Sequence, residues 1–170
     1  VKWFQLSRVR LASTADLQVV LNHLKQRSSE RALEHARSIS GPAGELLVTA
    51  VEHADEKKEY LEEVLYERML AAKPRLESLL PFLALTAAAA PLLGLLGTVT
   101  GMISTFNMIS LFGTGDPKTL SGGISEALIT TEFGLFVAIP ALLVHAFLSR
   151  KVKGVLGSME QTAVGFINGI

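Results

Sequence analysis

Six side chains could hold polar partners in an otherwise apolar part of this sequence: Thr98, Thr105, Glu126, Thr130, Thr131 and Glu132. A threonine hydroxyl donates and accepts hydrogen bonds without carrying charge, and a carboxylate accepts them with charge. Thr98, Gly101 and Thr105 are spaced by three, four and seven residues, so they fall in one stripe of a helix, which is small and polar. Glu126, Thr130, Phe133 and Gly134 share a face of a second helix, Thr131 is turned from Glu126 by about 140°, and Glu132 points elsewhere.

The surrounding residues are those of a membrane span. Residues 1–77 carry 12 basic and 12 acidic side chains, and no Asp, Glu, Lys or Arg occurs in the 38 residues from Ser78 through Gly115. A spanning helix takes about 20 mainly apolar residues, so this run is long enough to cross a bilayer with a turn or more to spare at each end. A second apolar stretch, Phe133 to Ser149, ends on Arg150, Lys151 and Lys153. The expected fold is all-α, a membrane hairpin over 78–149 with spans near 79–112 and 122–149 and an outer loop at 113–121. Residues 1–77 form a cytoplasmic helical region in this reading, and 150–170 a cytoplasmic C-terminal helix. Neither span has the position of a signal peptide. Arg68, Lys73 and Arg75 precede the first span and Arg150, Lys151 and Lys153 follow the second, whereas the loop from Gly113 to Gly123 carries only Asp116 and Lys118. The excess of basic residues on one side places both ends in the cytoplasm and the loop outside.

Ionisable groups at membrane depth are costly and usually face a bundle interior or water, which makes Glu126 and Glu132 functional candidates. Each has a plainer reading. Glu126 could be solvated near Gly122-Gly123 at a helix N-terminus, where the dipole favours a carboxylate. Glu132 opens the second apolar run and could hydrogen-bond a hydroxyl. For the threonines the plainer reading is a bond to the carbonyl four residues earlier. Pro91, Gly94, Gly97 and Gly101 in the first span and Gly134 in the second read as helix-packing residues, and Gly97-x-x-x-Gly101 is the spacing that admits a neighbouring helix. That spacing fits a partner helix or the hairpin's own packing.

In the charged region, Ser13 and Asp16 resemble a capping box ahead of Leu17, Val20, Leu21 and Leu24. A second helix is expected over 29–39, ended by Gly41-Pro42. Leu47, Val51, Ala54, Leu61 and Leu65 then predict one long amphipathic helix, interrupted on its stripe by Lys58, with Pro74 and Pro81 kinking or restarting it near the membrane. Its acidic residues read as a solvated face. Trp3 and Phe4 followed by Arg8 and Arg10 read either as the interfacial end of an upstream span or as a fraying start.

Composition removes other classes. Equal numbers of acidic and basic residues, 16 each, give no case for nucleic-acid binding. The chain has no cysteine, so thiol chemistry and Cys-based zinc sites are absent. The four histidines, His23, His35, His53 and His145, do not cluster at metal-ligand spacing, and His145 reads as an interfacial residue. There is no phosphate-binding GxxxxGK[ST] and no Ser/His/Asp set. Neither an enzyme nor a cofactor or metal site is expected.

Two segments carry a resemblance. Ala90-Pro-Leu-Leu-Gly-Leu-Leu-Gly-Thr-Val-Thr-Gly-Met-Ile-Ser-Thr-Phe106 and Gly123-Ile-Ser-Glu-Ala-Leu-Ile-Thr-Thr-Glu-Phe-Gly-Leu-Phe-Val-Ala-Ile-Pro-Ala141 resemble the two pore-side helices of the ExbB/TolQ/MotA proton-channel family, most closely its ExbB and TolQ branch. The resemblance covers roughly residues 40–170. It implies a ring of five subunits around the single membrane helices of ExbD-like partners, whose Asp takes up and releases protons, with rotation of partner within ring. It implies ring-side roles for Thr98, Glu126 and Thr131, and Pro140 matches the helix-bending proline. In ExbB systems the proton-motive force is passed to TonB, which works outer-membrane receptors, so the resemblance implies a bacterial inner-membrane protein. Thr105, Thr130 and Glu132 are further candidates for the path. Many relatives have a small residue where Glu132 stands, and a second carboxylate beside Thr131 could join the path or lock a subunit contact. Family members also have a span ahead of the cytoplasmic helices; residues 1–170 do not include it, and the start at Val1 reads as a processed chain or part of a longer one. A flagellar stator of the MotA branch would bring a larger cytoplasmic region, and a transport-free membrane scaffold would give no reason for Thr98, Thr131 and Glu126.

Overall fold

The structure is a computed structural model that describes residues 14–113 and 117–170. It has six helices in these residues: α1 (Thr14–Lys25), α2 (Ser29–Ser38), α3 (Pro42–Glu52), α4 (Lys58–Glu77), α5 (Leu80–Phe112) and α6 (Pro117–Gly169). Among the described residues there is no strand. Trp3, Phe4, Arg8, Arg10, Ser13 and Asp116, on which some sequence expectations rest, lie outside the described residues. Contacts divide the chain into two compact units, one made of the residues up to Ser78 with Ser149–Ile170 and one of Leu79–Leu148.

In the first unit, local backbone chemistry sets the helix ends. The Ser28 N–H reaches the His23 carbonyl at 3.0 Å and the Arg27 N–H reaches the Leu24 carbonyl at 2.9 Å, with Arg27 at φ 56°. This is the paired-bond ending in which a left-handed residue turns the chain out of a helix. Gly41 at φ 105° holds a conformation that a side chain would strain, and Pro42 behind it needs no N–H partner in the first turn of α3.

The expected single helix from Leu47 to Leu65 is two helices. α3 stops at Glu52, and α4 starts only after Lys57, which is extended at ψ 143°. Asp55, Glu56, Lys57 and Lys58 are consecutive, so another turn would have had only charged side chains to offer a core. Leu47, Val51, Leu61 and Leu65 nevertheless reach one shared core from the two helices. Pro81 stands in the first turn of α5 beyond the break at Ser78–Leu79, as its missing N–H favours, whereas Pro74 stays inside α4. The core is closed by Val155, Met159, Ala163 and Phe166 of α6, one stripe at three- and four-residue spacing. Phe166 is fully buried.

The second unit is a helical hairpin. α5 has 33 residues, and α5 and α6 are both long and apolar enough to cross a membrane. At 1.5 Å per residue α5 is about 50 Å long, more than the roughly 30 Å hydrocarbon layer needs. In their most apolar stretches only 6% and 11% of residues are buried. Phe82, Leu92, Leu93, Phe136, Leu142 and Leu143 are all exposed, a surface that calls for lipid or further protein. α6 begins at Pro117, earlier than the expected start at 122, and runs to Gly169, so the residues expected to form a C-terminal helix over 150–170 lie in this same element up to Gly169. Prolines 91 and 140 sit inside α5 and α6.

The hairpin closes along a seam of small residues. A Cβ added at Gly101 would lie 2.8 Å from the Ala127 Cβ, one at Gly97 would lie 2.7 Å from the Thr130 Oγ1, and one at Gly134 would lie 2.7 Å from the Ala90 carbonyl oxygen. Gly94 faces Gly134 and Thr131, and Gly123 faces Thr105. The spacing answers across the pair: 94, 97, 101 and 105 on α5 against 123, 127, 130, 131 and 134 on α6.

Two outcomes are expected. Phe166→Ala destabilises the first unit by about 3–5 kcal/mol, seen as a lower thermal midpoint in detergent. Gly101→Val, which forces the seam apart, destabilises the hairpin by about 1–3 kcal/mol. Gly122→Ala is the control, since a Cβ there meets nothing within 4 Å.

Candidate functional site

The polar centre of the hairpin follows from the seam. Because glycines bring the backbones together, carbonyls of one helix come within reach of hydroxyls on the other. The Thr98 and Thr131 hydroxyls are hydrogen-bonded directly to each other. The Thr98 hydroxyl also lies 3.1 Å from the Ala127 carbonyl oxygen across the seam and 3.2 Å from the Gly94 carbonyl oxygen of its own helix. The Thr131 hydroxyl lies 3.3 Å from the Gly94 carbonyl oxygen. Thr130 donates to the Ala127 carbonyl at 2.6 Å and approaches the Gly94 carbonyl at 3.3 Å. Three hydroxyls thus converge on two carbonyls, two of them also bonded to each other, with Thr98, Thr130 and Thr131 half-buried.

Both readings of Thr98 therefore hold together: it back-bonds its own helix and also bridges to the other. Thr105 is only 3% exposed and donates to the Gly101 carbonyl at 3.0 Å, packed against Gly123. It is not joined to the three-hydroxyl cluster by a hydrogen bond.

The carboxylates stand apart from the cluster. Glu126 is exposed and borders an open groove on one side of the hairpin with Thr100, Gly101, Ser104 and Thr130. Since α6 starts at Pro117, Glu126 is nine residues into the helix and not at its N-terminus. Glu132 is exposed and, by helical geometry, lies roughly 150° around α6 from the seam. Among the described residues neither carboxylate forms an ion pair or hydrogen bond, so the plainer reading of Glu132, a bond to a hydroxyl, finds no partner among them. No group of three or more potential metal ligands occurs among the described residues.

Sequence reasoning missed Ala127, whose carbonyl is the acceptor shared by Thr98 and Thr130 and whose methyl fits Gly101. Its signal was present: Gly123, Ala127, Thr130 and Gly134 recur at four, three and four residues, a small-residue stripe matching the one on α5.

A chain with two such helices has relatives. Residues 17–161 match the MotA/TolQ/ExbB proton channel family. Over 107 residues the chain is 34% identical to the biopolymer transport protein ExbB of Xanthomonas campestris pv. campestris, covering 63% of this chain and 42% of that protein. Over 83 residues it is 39% identical to the Tol-Pal system protein TolQ of Pseudomonas aeruginosa, covering 49% of this chain and 36% of TolQ. Over 168 residues it is 30% identical to the ExbB of Neisseria gonorrhoeae, covering 90% of this chain and 74% of that protein. The chain spans less than half the length of the first two of these relatives. With the match extending over most of its length, from the first core helix through both apolar helices, the chain belongs to the MotA/TolQ/ExbB proton channel family.

Proposed function

We propose that this chain is the ExbB-like subunit of a proton-driven motor in the bacterial inner membrane. It forms a homopentameric ring around an ExbD-like single-span partner and passes the proton-motive force to a TonB-like energiser of outer-membrane transport. The observation that carries the reading is the Thr98–Thr131 hydroxyl contact between two membrane-length helices. An aspartate of the partner, brought beside this pair, would find hydroxyls that accept its proton's hydrogen bond when it is protonated and donate to it when it is ionised. That exchange lowers the cost of a carboxylate at membrane depth without adding a charge from the ring. Glu126, on the groove beside Thr130, supplies an ionisable group on the same path. Three basic residues at each end of the hairpin, Arg68, Lys73 and Arg75 before it and Arg150, Lys151 and Lys153 after it, support the cytoplasmic placement of 1–77 and 150–170.

A TolQ-like role is the second reading, supported by the 39% identity to TolQ of Pseudomonas aeruginosa over 83 residues. It predicts rescue of the Tol-Pal system in a strain lacking TolQ instead of rescue of TonB-dependent uptake.

Thr131→Val and Glu126→Ala are expected to lower uptake of a TonB-dependent substrate by roughly tenfold or more, the scale of a positioned proton-transfer group, while the complex still assembles. Normal uptake in both variants would overturn the residue assignment.

A further inference from the structure

We infer that Thr130 is a positioning residue whose hydroxyl occupies the Ala127 carbonyl and so keeps the Thr98–Thr131 pair free to reverse its direction. The inference rests on the proposed proton path through that pair.

It follows from counting donors and lone pairs. Each of the carbonyls of Gly94 and Ala127 has two lone pairs, and the helical N–H four residues on takes one. One acceptor position remains on each, for three hydroxyl protons. Thr130 is 2.6 Å from the Ala127 oxygen but 3.3 Å from that of Gly94, so it takes the first. Thr98 and Thr131 are left with each other and with the Gly94 oxygen, from which they stand 3.2 Å and 3.3 Å. Two arrangements then satisfy every donor. Thr131 donates to Thr98 and Thr98 to Gly94, or Thr98 donates to Thr131 and Thr131 to Gly94. The two use the same acceptor at nearly the same distance, so neither direction is preferred.

A pair that passes protons needs this balance. When a proton from the partner carboxyl arrives on one hydroxyl oxygen, that oxygen's own proton moves to the other threonine, and the second threonine's proton, swung from the Gly94 carbonyl to a water at the end of the path, leaves on that water. Each threonine ends neutral with one O–H, but both O–H directions are reversed and must turn back before the next transfer. Without the Thr130 hydroxyl, the Ala127 oxygen at 3.1 Å becomes free for Thr98. Thr98 then has two carbonyl acceptors and Thr131 still has one, so three of the four arrangements that satisfy both donors have Thr98 donating outward, and the balance of the pair is lost. Gly97 makes the arrangement possible, because a Cβ there would lie 2.7 Å from the Thr130 oxygen.

The test uses the full chain co-reconstituted with its aspartate-bearing single-span partner in liposomes, reading proton flux with an entrapped pH dye. Thr130→Val is expected to lower flux about fivefold, the bias that one redistributed hydrogen bond supplies, with assembly unchanged. Thr130→Ser, which keeps the hydroxyl, restores flux to within about twofold. In a Thr131→Val background, adding Thr130→Val has no further effect, because it acts only through the pair. Equal loss in the Ser and Val variants, or an additive loss in the double variant, overturns the inference. A second arm does not depend on transport: proton-detected solid-state NMR of the Thr98 and Thr131 hydroxyls. Thr98 and Thr131 hydroxyl signals that move in opposite directions from their averaged wild-type positions in Thr130→Val support the inference, and signals that the substitution leaves in place overturn it. Absence of flux in the wild type with this NMR pattern would remove the transport reading while leaving the hydroxyl assignment in place.

Discussion

Two apolar helices can bring carbonyls and hydroxyls together only where neither carries a bulky side chain between them, and the polar chemistry of the hairpin depends on that close approach. In a hydrocarbon layer no water repairs an unpaired hydroxyl, so each must bond within protein. A threonine away from the seam does this by bonding its own backbone, as Thr86 and Thr100 do. At Gly94, Gly97 and Gly101 the backbones come so near that Thr98, Thr130 and Thr131 also reach across. Replacing any seam glycine by a larger residue therefore acts on packing and on the hydrogen bonds together.

Neutral groups suit the centre of such a seam. A buried charge at that depth costs several kcal/mol unless a counter-charge or water accompanies it, and no Lys or Arg lies between Ser78 and Gly115 to provide one. Hydroxyls avoid that cost and still give and take protons. The carboxylates are placed accordingly, with Glu126 on the groove and Glu132 on the side of α6 away from the seam, where protein or water must cover it.

Much of this was legible in the sequence, because the signals were long or periodic. The uncharged run from Ser78 marked the first span, and the break at Gly41-Pro42 ended α2 near the expected place. The site threonines were legible as polar residues in an apolar setting, but their meeting was not. Thr98 and Thr131 are 33 residues apart, and which faces meet depends on the glycine stripe of one helix finding the matching stripe of the other. The break after Glu52 was hidden because Leu61 and Leu65 continue the apolar rhythm of Leu47 and Val51 across a charged turn. The contribution of Phe166 to the first core was hidden for another reason: its stripe lies in a helix whose earlier residues are apolar on nearly every side.

The central claim is that the hairpin passes protons when its partner is present. The most direct measurement is proton current across a planar bilayer holding the wild-type chain, alone and with an aspartate-bearing single-span partner, under an imposed proton gradient. The account predicts current only when both chains are present, and its loss when the partner's aspartate is replaced by asparagine. A current carried by this chain alone and indifferent to the partner, or none from a fully assembled complex, would contradict it.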